Sequence, residues 1–512
     1  MSEKIINSFQ QRRQLNEAFA NIANTETQAE LLEAVRQITR EYPVDLIIST
    51  LMKYLDTKNS QMRGGLGHLS SLLPPEQIVA ALRSTVANRN LSTQLRLNCV
   101  SILERFLSET VSPALLGDLQ DTDEIAFQSL CEAIEEGHQN RYILLEYVTQ
   151  MRDEEEAVAE IVLSQIERLP QIDQIEMLRL IAQDDRAAVA RMALKQLTRL
   201  SYEDAGDGLL KALHTLQFTL PEPLAQEATR ALRKLKFTGN TYQPPTTDGW
   251  RALLSPAEAS GNQLIWLLHS PKGKPDNSIY LSIVINIELG ILQVYGNEHV
   301  ESSSLPPSKP IGELISMASD GEVPLVYLEV PFDYARWLIQ QALLVHWEER
   351  AVQNLFGEYM LYNDLIWQFD APQVDEGLKS YFQTPAAKLD ITQQEINAAA
   401  EKLLTNPAMA SWLIQQQMVL QAIRKHLTLN PEDDVIEIAA NVLADLVQWP
   451  DYQILINGLH NGLKLQGPWL EIAGNQDAAA QAKLIIQSFD HVPPHRNPFM
   501  MQLFSHGLTG LM

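Results

Sequence analysis

A twelve-residue apolar pattern recurs about every 32 residues through the first 237 positions of the chain. Its copies begin at residues 30, 62, 95, 126, 158, 189 and 224. Within each copy the apolar residues fall three or four positions apart, which is the spacing of an amphipathic helix. A fixed period of this size is typical of repeat proteins, in which each unit packs on its neighbours in a linear array.

Two columns of the pattern define the expected core of this array. The fifth position of the copies reads Ala34, Leu66, Cys99, Leu130, Val162, Ala193 and Ala228. The ninth position reads Ile38, Ser70, Leu103, Ile134, Ile166, Leu197 and Leu232. Further amphipathic segments lie between the copies, at 44–55, 76–87, 141–151, 172–182 and 207–216. The sequence therefore predicts about seven helix pairs.

Residues 30–237 resemble HEAT-type α-solenoids, and their short period resembles the HEAT-like repeats of phycobilisome lyases. The resemblance rests on the helix pairing, the period and the small or apolar columns, and it keeps part of the Asp…Val-Arg feature as Met62-Arg63 and Leu95-Arg96. It implies a mainly α-helical N-terminal solenoid that presents a groove to partners. Segments 255–267 and 330–336 also resemble uncharacterised bacterial proteins that carry HEAT repeats, and no known activity comes with that likeness.

The composition changes after residue 237. Residues 238–262 are rich in Gly, Pro, Thr and Ser, which is typical of a linker. Four β-branched and aromatic segments predict strands at 263–270, 279–286, 290–296 and 324–330. A short helix is predicted at 310–319, and Pro331 is expected to begin a long helix. Further helical patterns lie at 352–368, 392–404, 407–427, 431–448, 476–489 and 498–506.

The predicted fold is thus mainly α and has three parts. A HEAT-like α-solenoid occupies 1–237, and the linker 238–262 follows it. A small α+β module with the long helix occupies 263–384, and a helical domain occupies 385–512. We expect the last two parts to form two lobes.

Charge and cysteine content limit the possible partners and compartments. The net charge is −25, with 25 basic and 34 acidic residues in 1–237 and 14 and 30 in 238–512. Such an acidic chain repels phosphate backbones, so broad nucleic-acid binding is not expected. The two cysteines show no metal-ligand spacing, and low cysteine use fits a reducing compartment. No secretory signal or membrane span is predicted, so we expect a cytoplasmic protein.

No segment has the spacing of a catalytic motif: HExxH, GxSxG, GxxxxGK[ST] and GxGxxG are all absent from the sequence. His491 and His495 are separated by two prolines, which excludes the helical spacing of metal ligands. His346 and Glu349 lie three apart on a predicted helix, where a solvated helix end is expected rather than a ligand or acid–base pair. We therefore predict no catalytic residue, no metal and no cofactor.

The repeat itself supplies the candidate binding residues. Its third, seventh and eleventh positions face away from the apolar columns, and the last two copies are basic there. These residues are Arg191, Lys195, Arg199, Arg230 and Lys234. Such a surface suits an acidic protein segment, a phosphate group or a nucleic-acid backbone. A plain solvated face and internal docking on the acidic C-terminal half are the two alternatives.

The sequence favours a non-enzymatic protein–protein interaction scaffold or adaptor that uses the solenoid groove. One alternative is a small-molecule-binding protein or a lyase-like enzyme subunit, by analogy of fold. Another alternative is nucleic-acid binding through the basic end of the groove.

Overall fold

The described residues are mainly helical, with one antiparallel sheet of six strands among them. The computed structural model describes residues 2–25, 28–57, 59–88, 91–111, 122–271, 277–317, 325–348, 354–383, 391–410, 412, 417–429 and 434–509. The chain forms two compact units, Met1–Glu135 and Glu136–Met512. The predicted boundaries at residues 237, 262 and 384 stay predictions.

The first unit consists of helices around one apolar core. The helices are α1 (Ser2–Ile22), α2 (Gln28–Glu41), α3 (Val44–Tyr54), α4 (Ser60–Ser71), α5 (Pro75–Ala87) and α6 (Thr93–Ser101), and α7 (Thr122–Gly137) runs across the unit boundary. A π-helical turn, Ile102–Phe106, extends α6. Local capping explains two of the starts, because Asn59 and Ser92 each accept a hydrogen bond from a backbone N–H in the first turn.

The two repeat columns lie in the core as predicted. Every described member is buried except Ala34 and Leu232, which are half-buried. Cys99 belongs to the fifth-position column, and burial raises the pKa of its thiol to about 12. A thiol in that state is unreactive at neutral pH, as expected for a small apolar core residue.

The second unit begins with the later helices of the repeat region. They are α8 (Tyr142–Arg152), α9 (Glu156–Ile166), α10 (Gln171–Ile181), α11 (Ala187–Leu197), the single turn α12 (Tyr202–Ala205), α13 (Asp207–Thr219) and α14 (Leu224–Phe237). Helices α10 and α11 pack as one pair, and α13 and α14 pack as the next. The predicted helices of this region are confirmed, with bounds that differ by a few residues.

The sheet follows, with strand order β4-β3-β2-β1-β6-β5 and antiparallel pairing throughout. The strands are β1 (Trp250–Leu254), β2 (Asn262–His269), β3 (Ser278–Asn286), β4 (Gly290–Val300), β5 (Leu314–Met317) and β6 (Leu325–Val330). The four predicted strands correspond to β2, β3, β4 and β6. The predicted linker contains a further strand, β1, which lies between β2 and β6 in the middle of the sheet.

The helix predicted at 310–319 is wrong. Residues Leu314–Met317 form the edge strand β5, which pairs with β6. Gly312 explains the difference, because its φ of 92° ends any helical path and its N–H donates to the carbonyl of Glu329 at 2.8 Å. The apolar spacing around it fits both a helix and a short edge strand, and the turn decides between them.

A long helix, α15 (Phe332–Trp347), packs against β1, β2, β3 and β4 and begins after Pro331 as predicted. Its Arg336 is 1% exposed and lies against the rings of Phe332, Trp367 and Phe369. The guanidinium also donates to the carbonyls of Ile366 and Asp370. Arg336 therefore fastens the chain that leaves the following helix, α16 (Gly357–Ile366), to the sheet-bound helix.

The C-terminal helices are α17 (Glu376–Lys379), α18 (Gln393–Leu404), α19 (Gln417–Leu429), α20 (Val435–Leu446), α21 (Tyr452–Ile472), α22 (Gln476–Ser488) and α23 (Pro498–Thr509). Short 3-10 turns lie at Ser302–Ser304, Ser380–Phe382, Pro407–Met409 and Pro494–Arg496. The long helix α21 was not predicted, because three glycines and Pro468 interrupt its pattern.

Two of those glycines, Gly458 and Gly462, allow a loop to lie directly on α21. A side chain at Gly462 would place its Cβ 2.5 Å from the carbonyl oxygen of Glu258, and one at Gly458 would lie 3.0 Å from that of Ser260. Gln466 on the same helix face accepts a hydrogen bond from the N–H of Ala257 at 2.7 Å. The close approach, rather than helix propensity, therefore accounts for the composition of α21.

Candidate binding surfaces

The five predicted binding residues lie on the solvent sides of α11 and α14. Arg191, Lys195 and Arg199 follow at four-residue intervals along α11 and its end, and Arg230 and Lys234 do the same on α14. This interval places each set on one stripe, opposite the buried residues of its helix. Because α11 contacts α14, the two stripes belong to neighbouring helices. We call these five residues the basic face.

The cations of the basic face have no charged partner in the part of the chain that the structure describes. All five side chains are exposed, and no described carboxylate lies within 4.0 Å of any of their charged nitrogens. Arg230 makes one long hydrogen bond, 3.4 Å, to the Oε1 atom of Gln226. Their positive charge therefore faces water.

A second set of cations forms ion pairs with carboxylates inside the second unit. Arg141, at the start of α8, donates from Nη2 to Glu176 and Asp364 at 2.8 Å each, and from Nη1 to Glu298 at 3.0 Å. Lys211 on α13 lies 2.7 Å from the other oxygen of Asp364. One guanidinium thus joins the helix pairs, strand β4 and helix α16.

Arg179 completes this set from the last turn of α10. It is 1% exposed and pairs with Glu176 at 2.7 Å. Its Nη1 also donates to the carbonyl of Met360 at 2.8 Å and to Asn363 Oδ1 at 2.6 Å. We call Arg141, Glu176, Arg179, Lys211, Glu298 and Asp364 the buried ion network, after its two buried members Arg179 and Asp364; the other four are half-buried. It contains three cations and three carboxylates, so its charge is balanced.

Two carboxylates of the network, Glu176 and Asp364, stay ionised at neutral pH. Burial opposes the ionisation of Glu176, but the charge and hydrogen bonds of Arg179, together with Arg141, outweigh burial and lower its pKa to about 2. Burial also opposes the ionisation of Asp364, and Arg141 and Lys211 hold the pKa of that carboxyl well below its usual range. Groups of permanent charge serve to hold elements together and do not exchange protons at neutral pH.

This network was not predicted from the sequence, although two signals were present. Arg179 stands among Met177, Leu178, Leu180 and Ile181, and Asp364 stands in an equally apolar run. A charged residue inside an apolar helix segment implies a buried partner, because an unpaired buried charge is costly. Arg141 carried no such signal, since it lies at a helix start.

Neither His346 nor the pair His491 and His495 forms a site in the described structure. The Nε2 atom of His346 accepts the backbone N–H of Ile291 at 3.0 Å, so this ring supports the turn into β4. Glu349 lies outside the described residues. His495 lies within the 3-10 turn Pro494–Arg496, and His491 lies three residues before that turn. Among the described residues no group of three or more His, Cys, Asp or Glu side chains has a geometry that suits a metal ion.

Comparison of the chain with models of known protein families, with curated proteins and with solved structures found no match. In the described part of the chain, no helix has both the length and the apolar character needed to cross a membrane.

Proposed function

We propose that the chain is a non-enzymatic interaction scaffold of the cytoplasm. In this proposal residues 30–237 are a HEAT-like α-solenoid, and the basic face binds an acidic segment of a partner protein. The observation that carries the proposal is the contrast between two sets of cations. Those of the buried ion network are matched by carboxylates, whereas the five of the basic face are exposed without such partners.

Two features favour a protein partner over a nucleic acid. The chain carries a net charge of −25, and a long phosphate backbone would extend beyond the basic face into this field. Exposed carboxylates also lie near the basic face: Glu167 lines the same surface cavity as Arg199, and Glu203 follows Arg199 by four positions. A short acidic peptide can end at the five cations, whereas a long phosphate backbone continues past them toward these carboxylates.

The test is capture of partners from a nuclease-treated native lysate by three forms of the full-length protein. They are the wild type, the triple variant R191A/K195A/R199A, and a control triple variant R13A/R36A/R40A. Both triple variants remove three exposed cations, so both change the net charge equally. We expect wild type and control to retain the same proteins at low salt, and the R191A/K195A/R199A variant to lose them.

Moderate salt should release the captured proteins, because exposed charges are screened over about 10 Å at 0.1 M salt. Identical capture by all three forms would exclude the basic face as the binding surface. Capture that disappears only on nuclease treatment would favour the nucleic-acid alternative.

A further inference from the structure

A surface cavity of about 670 Å³ adjoins the basic face. It lies where the connection between α9 and α10 meets the end of α11, and Arg199 belongs both to its wall and to the basic face. The apolar part of the wall comes from Leu169, Pro170, Ile172 and Leu200. Ile172 is 57% exposed, which leaves most of its side chain in contact with water.

Much of the polar wall is already hydrogen-bonded within the protein. Gln171 accepts the N–H of Ser201 at 2.6 Å and donates to Asp204 at 3.2 Å. Gln174 donates to the carbonyl of Leu169 at 2.7 Å. A ligand in this cavity therefore gains more from covering Ile172 and Leu200 than from new hydrogen bonds, because removing apolar surface from water is favourable.

We infer that the basic face and this cavity form one binding surface, which takes an acidic protein segment with an aliphatic side chain beside its carboxylates. This inference rests on the proposed function. The carboxylates of the segment lie along Arg191, Lys195 and Arg199, and the aliphatic group enters the cavity beyond Arg199.

The charges in the cavity wall determine that the aliphatic group, rather than a carboxylate, lies in the cavity. Glu167 and Asp204 lie in its wall together with Arg199, so the cavity repels a second anion and accepts a neutral group. A nucleic acid has no aliphatic side chain to place against Ile172, and its phosphates would approach both carboxylates. The surface thus fits a peptide better than a nucleic-acid strand.

The experiment compares two labelled synthetic peptides by fluorescence anisotropy with the full-length protein at low salt. One is hexaglutamate with a leucine at each end, and the other has glycine at each end. On the wild type we expect the leucine peptide to bind about tenfold more tightly, since burying a leucine side chain contributes about that much. Ile172→Gln should abolish this difference by weakening the leucine peptide about tenfold, to the affinity of the glycine peptide. The R191A/K195A/R199A variant should weaken both peptides.

Each result separates the inference from the proposed function. Equal affinity of the two peptides for the wild type would overturn the cavity as an anchor site and leave the basic face standing. Binding of neither peptide would overturn both. Tighter binding of a single-stranded oligothymidylate than of either peptide would replace the protein segment by a nucleic acid. Because Ile172 is largely exposed, the Ile172→Gln variant should fold like the wild type. A melting curve that matches that of the wild type verifies this.

Discussion

At the scale of single residues, the buried carboxylate of Asp364 should contribute strongly to the stability of the second unit. It is 6% exposed and lies 2.8 Å from Arg141 and 2.7 Å from Lys211. Asp364→Asn keeps the shape but removes the charge, so we expect the second unit to lose about 3 kcal/mol of its free energy of unfolding. Urea unfolding measures this loss. The control Glu376→Gln breaks the exposed pair with Lys379 and should cost less than about 1 kcal/mol. Equal effects of the two substitutions would contradict a structural role for the network.

Glu176 makes the stability of the second unit depend on pH in acid. Its pKa falls from an ordinary 4.5 to about 2 in the folded chain, so the folded state favours the ionised form. The stabilisation is complete above pH 4.5 and is lost as the pH falls toward 2. We expect Glu176→Gln to be less stable than the wild type at neutral pH, with a difference that shrinks through this window. Thermal melting from pH 7 to pH 2.5 measures it, and a constant difference would contradict the assignment.

At the scale of elements, two helical glycines should respond to alanine with opposite signs. In a helix interior alanine is favoured over glycine by about 1 kcal/mol. At Gly64 on α4 nothing lies within 4 Å of the new Cβ, so Gly64→Ala should stabilise the first unit. At Gly462 on α21 the Cβ would lie 2.5 Å from the backbone oxygen of Glu258, so Gly462→Ala should destabilise the second unit. Melting temperatures test both, and a stabilising Gly462→Ala would show that the loop moves aside freely.

These elements also show what the sequence can predict and what it cannot. Periodicity predicted the paired helices and their buried columns, because each helix has one apolar side that must be covered. Periodicity failed at α21 and β5. There Gly462 and Gly312 are required by contacts with segments that are distant in sequence. The same limit applies to the surfaces. The basic face is a local stripe and was predictable. Two of the three carboxylate partners of Arg141, Glu298 and Asp364, lie more than 150 positions away, so no local pattern predicts them.

At the scale of the whole molecule, the ion pairs of the buried ion network join two segments whose net negative charges repel each other. Residues 1–237 carry a net charge of −9 and residues 238–512 carry −16, so the two segments repel each other at long range. The buried ion network lies across this division, with Arg141, Arg179 and Lys211 on one side and Glu298 and Asp364 on the other. Close contacts in a partly buried site are screened less than the long-range repulsion, so the network should prevail.

Cleavage of the chain between the two segments tests this balance. The stretch around Thr246 and Thr247 is exposed, and a specific protease site inserted there should be cut without unfolding the second unit. At neutral pH and physiological salt we expect both fragments to elute together in size-exclusion chromatography. The same cut in a Glu176→Gln/Asp364→Asn double variant should release them, because the cations then lack two of their three carboxylates. Separation of the wild-type fragments would instead make residue 237 the end of an independent domain, as the sequence composition suggests.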